Sequence, residues 1–244
     1  MKKKKVLLIV LIALFVCFLG YKIFCLSYFK VERFATGEFE NFLNGLEVKD
    51  KLTIKTNNSS NDYLEFKGMK IRNDFKDFST LEPAVEDSLK LVLYNEDKSV
   101  KASFWMSVGY TYIELLKSEK QVFSNSHIIN TGSLEKYLDS KNIKNDMDLF
   151  KHLYEHRNDK NNIFTSSKKI QDNYALYNLS YIILPLINSI TEIDGDYTGY
   201  ILNMPEMKEV SILKNDKRYT LMFMDTTYFT DEIIHDLLNT LVIE

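Results

Sequence analysis

Polar and apolar residues alternate with recognisable periods along most of this chain, but the first stretch has no polar phase at all. Val6 to Tyr21 runs 16 residues without a charge and follows the lysine cluster Lys2 to Lys5. At ~1.5 Å rise per residue this is about 24 Å of helix, short of the roughly 30 Å core of a bilayer. Lys22 interrupts the run, yet Ile23, Phe24, Cys25 and Leu26 continue it. A lysine near a helix end buries its methylene stem and lifts its ammonium to the interface. The pattern predicts a basic tail over 1–5 and a transmembrane helix over 6–26, with Tyr21, Tyr28 and Phe29 as interfacial aromatics. The rival reading is a cleaved signal peptide. Against it, Phe18 precedes Gly20 where a small residue is wanted, although Cys25 and Ser27 would make a late site. Val16 before Cys17 and Phe24 before Cys25 do not suit a lipoprotein signal. Positive flanks stay cytoplasmic, so the larger C-terminal part is expected outside.

Residues 30–48 read as a juxtamembrane segment. In it, Phe39, Phe42, Leu43 and Leu46 recur at helical spacing, and Gly45 closes a short helix over Thr36–Gly45. Residues 49–244 read as one extracytoplasmic domain. Lys51 to Lys55 alternates as an edge strand, the polar Asn57 to Asn61 turns, and Tyr63 to Arg72 alternates again with Gly68 as a bulge. Asn73 to Asp87, with Pro83, is a connection. Leu89, Leu91 and Leu93 share one strand face, Asn95 to Lys98 turns, and Val100, Ala102, Phe104, Met106 and Val108 line one face of the returning strand. The period then becomes helical over Tyr112 to Lys120. Ser133 caps a helix with Leu134, Tyr137 and Leu138, and Asn145 or Asp146 caps one with Leu149, Phe150 and Leu153. Ser166 or Ser167 opens a third that Pro185 ends.

Strands return at the end. Ile190 to Ile193 and Tyr197 to Leu202 flank the turn Asp194-Gly195-Asp196, and Glu209 to Leu213 and Arg218 to Met224 flank Lys214 to Lys217. Thr230 caps a closing helix to Thr240, with Asp231 and Glu232 in its first turn and Ile233, Ile234, Leu237, Leu238 and Leu241 apolar. The expected fold class is α+β: an N-terminal transmembrane helix followed by an antiparallel β-sheet domain with helices packed on it. The succession of the strand from Tyr197, the hairpin from Glu209 to Met224 and the helix to Thr240 resembles the PsbP-like α/β sandwich family. That resemblance implies a non-catalytic fold that docks on other proteins.

Composition narrows the partners. The first 29 residues hold five lysines and no acid, so the 31 basic and 34 acidic residues of the chain leave 26 against 34 beyond them, a net charge of −8. An acidic domain excludes nucleic acid, which needs a basic footprint, and opposes lying flat on anionic lipid. It suits a protein partner with a basic surface. Both cysteines, Cys17 and Cys25, fall in the anchor, so the domain has no disulfide or thiolate site. Richness in Lys, Asn, Ile and Tyr with 8 Gly and 3 Pro points to a low-GC bacterial genome.

One motif carries chemistry. His152-Leu153-Tyr154-Glu155-His156 fits H-x-x-E-H, whose histidines share a helix face and could hold Zn²⁺ beside the glutamate as base. It resembles the inverzincin motif, which takes a downstream glutamate as third ligand, and Glu232 lies 76 positions on. The family's apolar continuation is replaced by the polar run Arg157 to Asn162, so two solvated histidines on an amphipathic helix is the preferred reading. Glu192, Asp194 and Asp196 lack a full Ca²⁺ loop and read as turn residues. His127 and His235 are isolated, His235 on the surface. Ser166 to Lys169 has S-x-x-K spacing that helix capping explains. Trp105 lies opposite the core face of its strand, where with Tyr94 it forms a contact strip or is covered by a helix. The reading is an anchored protein-binding module, not an enzyme, of the immunity or membrane-complex accessory kind, with no cofactor or metal. An anchored zinc hydrolase using His152, Glu155 and His156 is the alternative.

Overall fold

The computed structural model of the chain describes residues 12, 14–23, 46–57, 62–81, 88–118, 121–124, 127–156, 165–166, 168–169, 172, 175–176, 179 and 187–244. Eight strands form the main sheet in the order β1 (Glu47–Ile54), β9 (Ser189–Gly195), β10 (Thr198–Asn203), β11 (Met207–Lys214), β12 (Lys217–Met224), β6 (Val100–Gly109), β5 (Ser88–Tyr94) and β4 (Ser79–Leu81). All neighbours are antiparallel except β1 and β9, which run parallel, so the sheet is mixed and not purely antiparallel. A smaller sheet orders β13 (Val242–Ile243), β3 (Met69–Arg72) and β2 (Tyr63–Phe66).

Turn chemistry sets the hairpins. Asn215 and Asp216, at φ 53° and 59°, join β11 to β12. Two left-handed residues match the twist of the flanking strands, and Asn and Asp tolerate that region. Lys67 and Gly68, at φ 47° and 82°, turn β2 into β3 in the same way. Gly68 is therefore a hairpin turn residue where a bulge was expected, because period-2 alternation continues unbroken across a two-residue turn.

The central strands bury both faces. On one, Phe104, Met106, Ile193, Ile201, Val210, Ile212, Leu221 and Phe223 form a core with the C-terminal helix α4 (Asp231–Leu238) and the small sheet. Phe75 stacks on Phe104 at 4.2 Å, and Phe223 lies 5.0 Å from Phe104 and 5.2 Å from Phe229. On the other face, Ile190, Tyr200 and Leu202 pack with α1 (Tyr112–Ser118), α2 (Thr131–Ser140) and α3 (Asp146–His156). Ala175, Leu176 and Leu179, helical and buried, join that core. The helices thus cover both sides.

Thr230 caps α4 by accepting the Ile233 N–H at 3.3 Å. The helix stops at Leu238 and not at Thr240. Thr240 instead donates to the Leu237 carbonyl at 2.7 Å and accepts the Arg72 N–H at 3.0 Å, steering the chain into β13. Leu241 is buried, but outside the helix. α2 starts at Thr131, before the expected Ser133, and α3 is capped by Asn145, whose Oδ1 accepts the Asp148 N–H at 2.9 Å. Four strands were not anticipated: β4 inside the expected connection, β13 after the closing helix, and β7 (Gln121–Ser124) and β8 (His127–Asn130), which pair as a hairpin. The expected helix over Thr36–Gly45, the turn over 58–61, and Pro83 and Pro185 lie outside the described residues.

Ile12 and residues 14–23 are helical, with Ile12, Leu14, Phe15, Val16, Phe18, Tyr21 and Ile23 each at least half exposed. Among the described residues no helix is long and apolar enough to cross a membrane. The rest of the expected span, over 6–11, 13 and 24–26, lies outside them.

The parallel pairing of β1 with β9 is stitched at one end. The Asp196 N–H donates to the Ile54 carbonyl at 3.1 Å, and the Thr56 N–H and Oγ1 both donate to Asp196 Oδ2 at 2.8 Å. Gly195 sits between at φ 106°, where a Cβ would lie 2.3 Å from the Ile54 carbonyl oxygen. Gly195→Ala is accordingly expected to lower stability by about 2 kcal/mol through strain and displacement of β1. Urea unfolding should show a lower midpoint with an unchanged slope.

Candidate functional site

The H-x-x-E-H residues lie on α3, half-buried at His152 and His156 and exposed at Glu155. His152 Nε2 is 2.7 Å from the Tyr137 hydroxyl, and His156 Nδ1 donates to the His152 carbonyl at 3.0 Å. Their rings are 4.2 Å apart. The histidines are thus hydrogen-bonded into the α2–α3 pair, less solvated than expected. Glu232 is not brought to them. Leu149, Phe150 and Leu153 of α3 belong to one core, Ile234 and Leu237 of α4 to the other, and the sheet stands between. Among the described residues no three His, Cys, Asp or Glu side chains gather where they could hold a metal ion.

The remaining candidates resolve into local structure. Glu192 bridges Lys51 at 3.3 Å and Lys151 at 2.8 Å, Asp194 accepts the Thr53 hydroxyl at 2.8 Å, and Asp196 holds Thr56. All three bind β1 or α3 to β9. Hydrogen bonding by Lys151 holds the Glu192 carboxyl below its ordinary range, and the Thr56 N–H and hydroxyl do the same for Asp196. Ser166 Oγ accepts the Lys169 N–H at 3.2 Å, as a cap does. Trp105 is half-buried under Lys90, whose Nζ lies 4.3 Å from the ring, and its indole N–H is buried without a partner. It lies opposite Lys90 while Tyr94 lies opposite Val100, so the two aromatics do not make one strip. His127 falls in β8.

A buried polar cluster escaped the sequence reading. Asp146, fully buried, accepts the Tyr112 N–H at 3.1 Å, the Ile113 N–H at 3.0 Å and the Tyr200 hydroxyl at 2.9 Å. Arg218 lies over the Tyr112 ring at 4.4 Å, with Nη1 3.7 Å from Glu209, which accepts the Ser211 hydroxyl. Burial pushes the Asp146 carboxyl up, opposed by the Ile113 and Tyr112 N–H groups and the Tyr200 hydroxyl. Burial also drives the Tyr200 hydroxyl well above its ordinary value, with the Asp146 charge adding to it. For Arg218 burial opposes the charge most strongly, yet Tyr200, Tyr112 and Glu209 together hold it above the usual guanidinium value. No local signal marked it: Glu209 and Arg218 alternate with core residues along their strands, as solvent-facing charges also do, and only the helices packed on that face bury them.

An open site lies on the opposite face. A cavity of about 730 Å³ is floored by Thr191, Ile201 and Asn203 and walled by Lys49, Lys208 and the start of α4. A second of about 470 Å³, lined by Thr53, Lys55, Arg72 and Asn239, adjoins it through His235, which lines both. Lys208 closes one end by its ion pair with Asp231 at 2.6 Å, a hydrogen bond that holds the Asp231 carboxyl below its ordinary range. His235 is therefore a groove residue and not a plain surface one. It sits at the margin of the α4 apolar stripe, beside Ile234. Among the described residues no strand pairs with the outer edge of β1, which carries Lys49, Asp50 and Lys51 at a register shift. Lysines and a bulge blunt an edge against strand addition. The groove therefore presents side chains of both charge signs, an amide and an imidazole.

Asp146→Ala is expected to cost about 3 kcal/mol, because it leaves three buried donors unsatisfied. Asp146→Asn gives the pH test. A carboxyl raised in the folded state binds protons more tightly there, so wild-type stability relative to Asp146→Asn is lowest above the raised value. It should grow as pH falls from there towards about 4; paired urea titrations across that window measure it. No protein-family model matches the chain, and no curated protein matches it significantly.

Proposed function

We propose that this chain is a single-pass membrane-anchored binding module, with its N-terminus cytoplasmic and its domain outside, that engages another protein through the groove between β1 and α4. Two observations carry the reading: the groove, and an N-terminal helix whose apolar side chains stand exposed. Ile12, Leu14, Phe15, Val16 and Phe18 go round the helix, and a helix apolar on all sides is a core or a membrane element. The excess of Lys2 to Lys5 supports the orientation. The acidity of the domain favours a partner with a basic surface. A toxin countered by an immunity protein, or a subunit of a membrane complex, fits that description, and the resemblance to PsbP-like docking domains agrees with it.

Two measurements test the proposal. Protease added to intact cells should degrade the domain while sparing a cytoplasmic control. Purification of the full chain from membranes in gentle detergent should recover one stoichiometric partner, and Thr191→Trp, which fills the groove floor, should lower that recovery at least about tenfold, the equivalent of ~1.4 kcal/mol. Recovery of no partner, or recovery unaffected by Thr191→Trp, would reject the groove as the binding surface.

A further inference from the structure

The β1 wall of the larger cavity is held unevenly along its length. β1 joins β9 in two stretches, Glu47–Lys49 against Ser189–Thr191 and Leu52–Ile54 against Ile193–Gly195, parted by the register shift at Asp50 and Lys51. A bulge of this kind interrupts the ladder and bends the strand. The second stretch is fastened by side chains. Ile54 is fully buried, Thr53 and Thr56 hold Asp194 and Asp196, and beyond them the Asn57 N–H donates to the Asn239 carbonyl at 2.6 Å. The first stretch has its backbone pairs, beginning with the Glu47 N–H on the Asn188 carbonyl at 3.0 Å, and one buried side chain at its end, Leu46. Glu47, Lys49 and Asp50 are exposed. Among the described residues no side-chain hydrogen bond or ion pair fastens these three. A segment with so few buried contacts opens by itself, at a fraction of the free energy of global unfolding.

We propose that Leu46 to Asp50 is a strap, latched by the Leu46 side chain and hinged at the bulge, that forms a movable wall of the larger cavity. Leu46 packs in the α1–α3 core, so withdrawal of this one side chain frees the strap as far as the bulge. Glu47 to Leu52 line the larger cavity, and Lys49 lies opposite Thr191 on its floor. Release of the strap therefore widens that cavity and uncovers its floor. The smaller cavity is bordered by Thr53, Lys55 and Asn57, in or beyond the fastened stretch, and keeps its width. Where the groove receives a partner, a reading on which this role of the strap rests, the strap governs entry at one end only.

Residue-resolved amide exchange on the full chain in gentle detergent compares the two ends of this one ladder. After correction for intrinsic rates, the Glu47 N–H should exchange at least about tenfold faster than the Asp196 N–H, which donates to the Ile54 carbonyl. Leu46→Ala should speed Glu47 about tenfold further and leave Asp196 within about twofold. Nitroxide pairs then read the two cavities, with Cys17→Ser and Cys25→Ser throughout. Lys49→Cys with Glu232→Cys spans the larger cavity, and Lys55→Cys with Asp236→Cys spans the smaller. Adding Leu46→Ala should give the first pair a population at longer distance and leave the second pair unchanged. Equal exchange at Glu47 and Asp196, a comparison that needs no substitution, overturns the strap, as does equal acceleration of both by Leu46→Ala. An unchanged distance between positions 49 and 232 overturns the movable wall. No partner takes part in these measurements, so their failure leaves the binding role of the groove, tested by Thr191→Trp, standing.

Discussion

The carboxylate of Asp146 is the interaction on which one side of this domain depends. It accepts two backbone N–H groups at the start of α1 and the hydroxyl of Tyr200 from β10, so one buried group ties α3, α1 and the sheet together. α1 is seven residues long, too short to persist without tertiary support. Arg218 and Glu209, on the same face of β12 and β11, extend the cluster around the Tyr112 ring. Burying so many polar groups is tolerable because hydrogen bonds oppose desolvation at Asp146 and the Glu209 carboxylate opposes it at Arg218. The two faces are therefore held by different physics. The α4 side rests on stacked phenylalanines, and the α1–α3 side combines an apolar core with this polar clasp.

The open site follows from the way the sheet ends. β1 joins β9 in parallel, brought back from a distant part of the chain, and is fastened by Thr53, Thr56 and Asp196. α4 is only eight residues long and covers the central strands, leaving the corner of β1, β9, β10 and β11 bare. The groove is the space that α4 does not reach. Its lining of lysines, acids, His235 and Asn203 is what remains where the core stops, and its bulged, lysine-bearing edge is blunted against pairing with a further strand.

Much of the architecture was legible. The β5–β6 hairpin, β9–β10 and β11–β12 were readable because period-2 alternation and polar turns are local properties, and α3 and α4 because their caps and apolar stripes are. Lys67-Gly68 was missed since a two-residue turn leaves alternation unbroken. β7 and β8 were missed because four-residue strands are too short for a period to register. The pairing of β1 with β9 could not be read at all: hydrogen bonds between Glu47–Ile54 and Ser189–Gly195 leave no mark on local pattern.

The site divides along the same line. By itself the sequence determined which residues are apolar, where an uncharged run follows four lysines, and that the remainder is acidic, because each is a property of composition or short spacing. It also placed His152 and His156 on one helix face. Only the tertiary structure decided that Glu232 lies across the sheet from them, that Asp146 meets Tyr200 and Tyr112, and that His235 borders a groove. Those outcomes depend on which face of the sheet each helix covers, and that is set by long-range packing of both cores together.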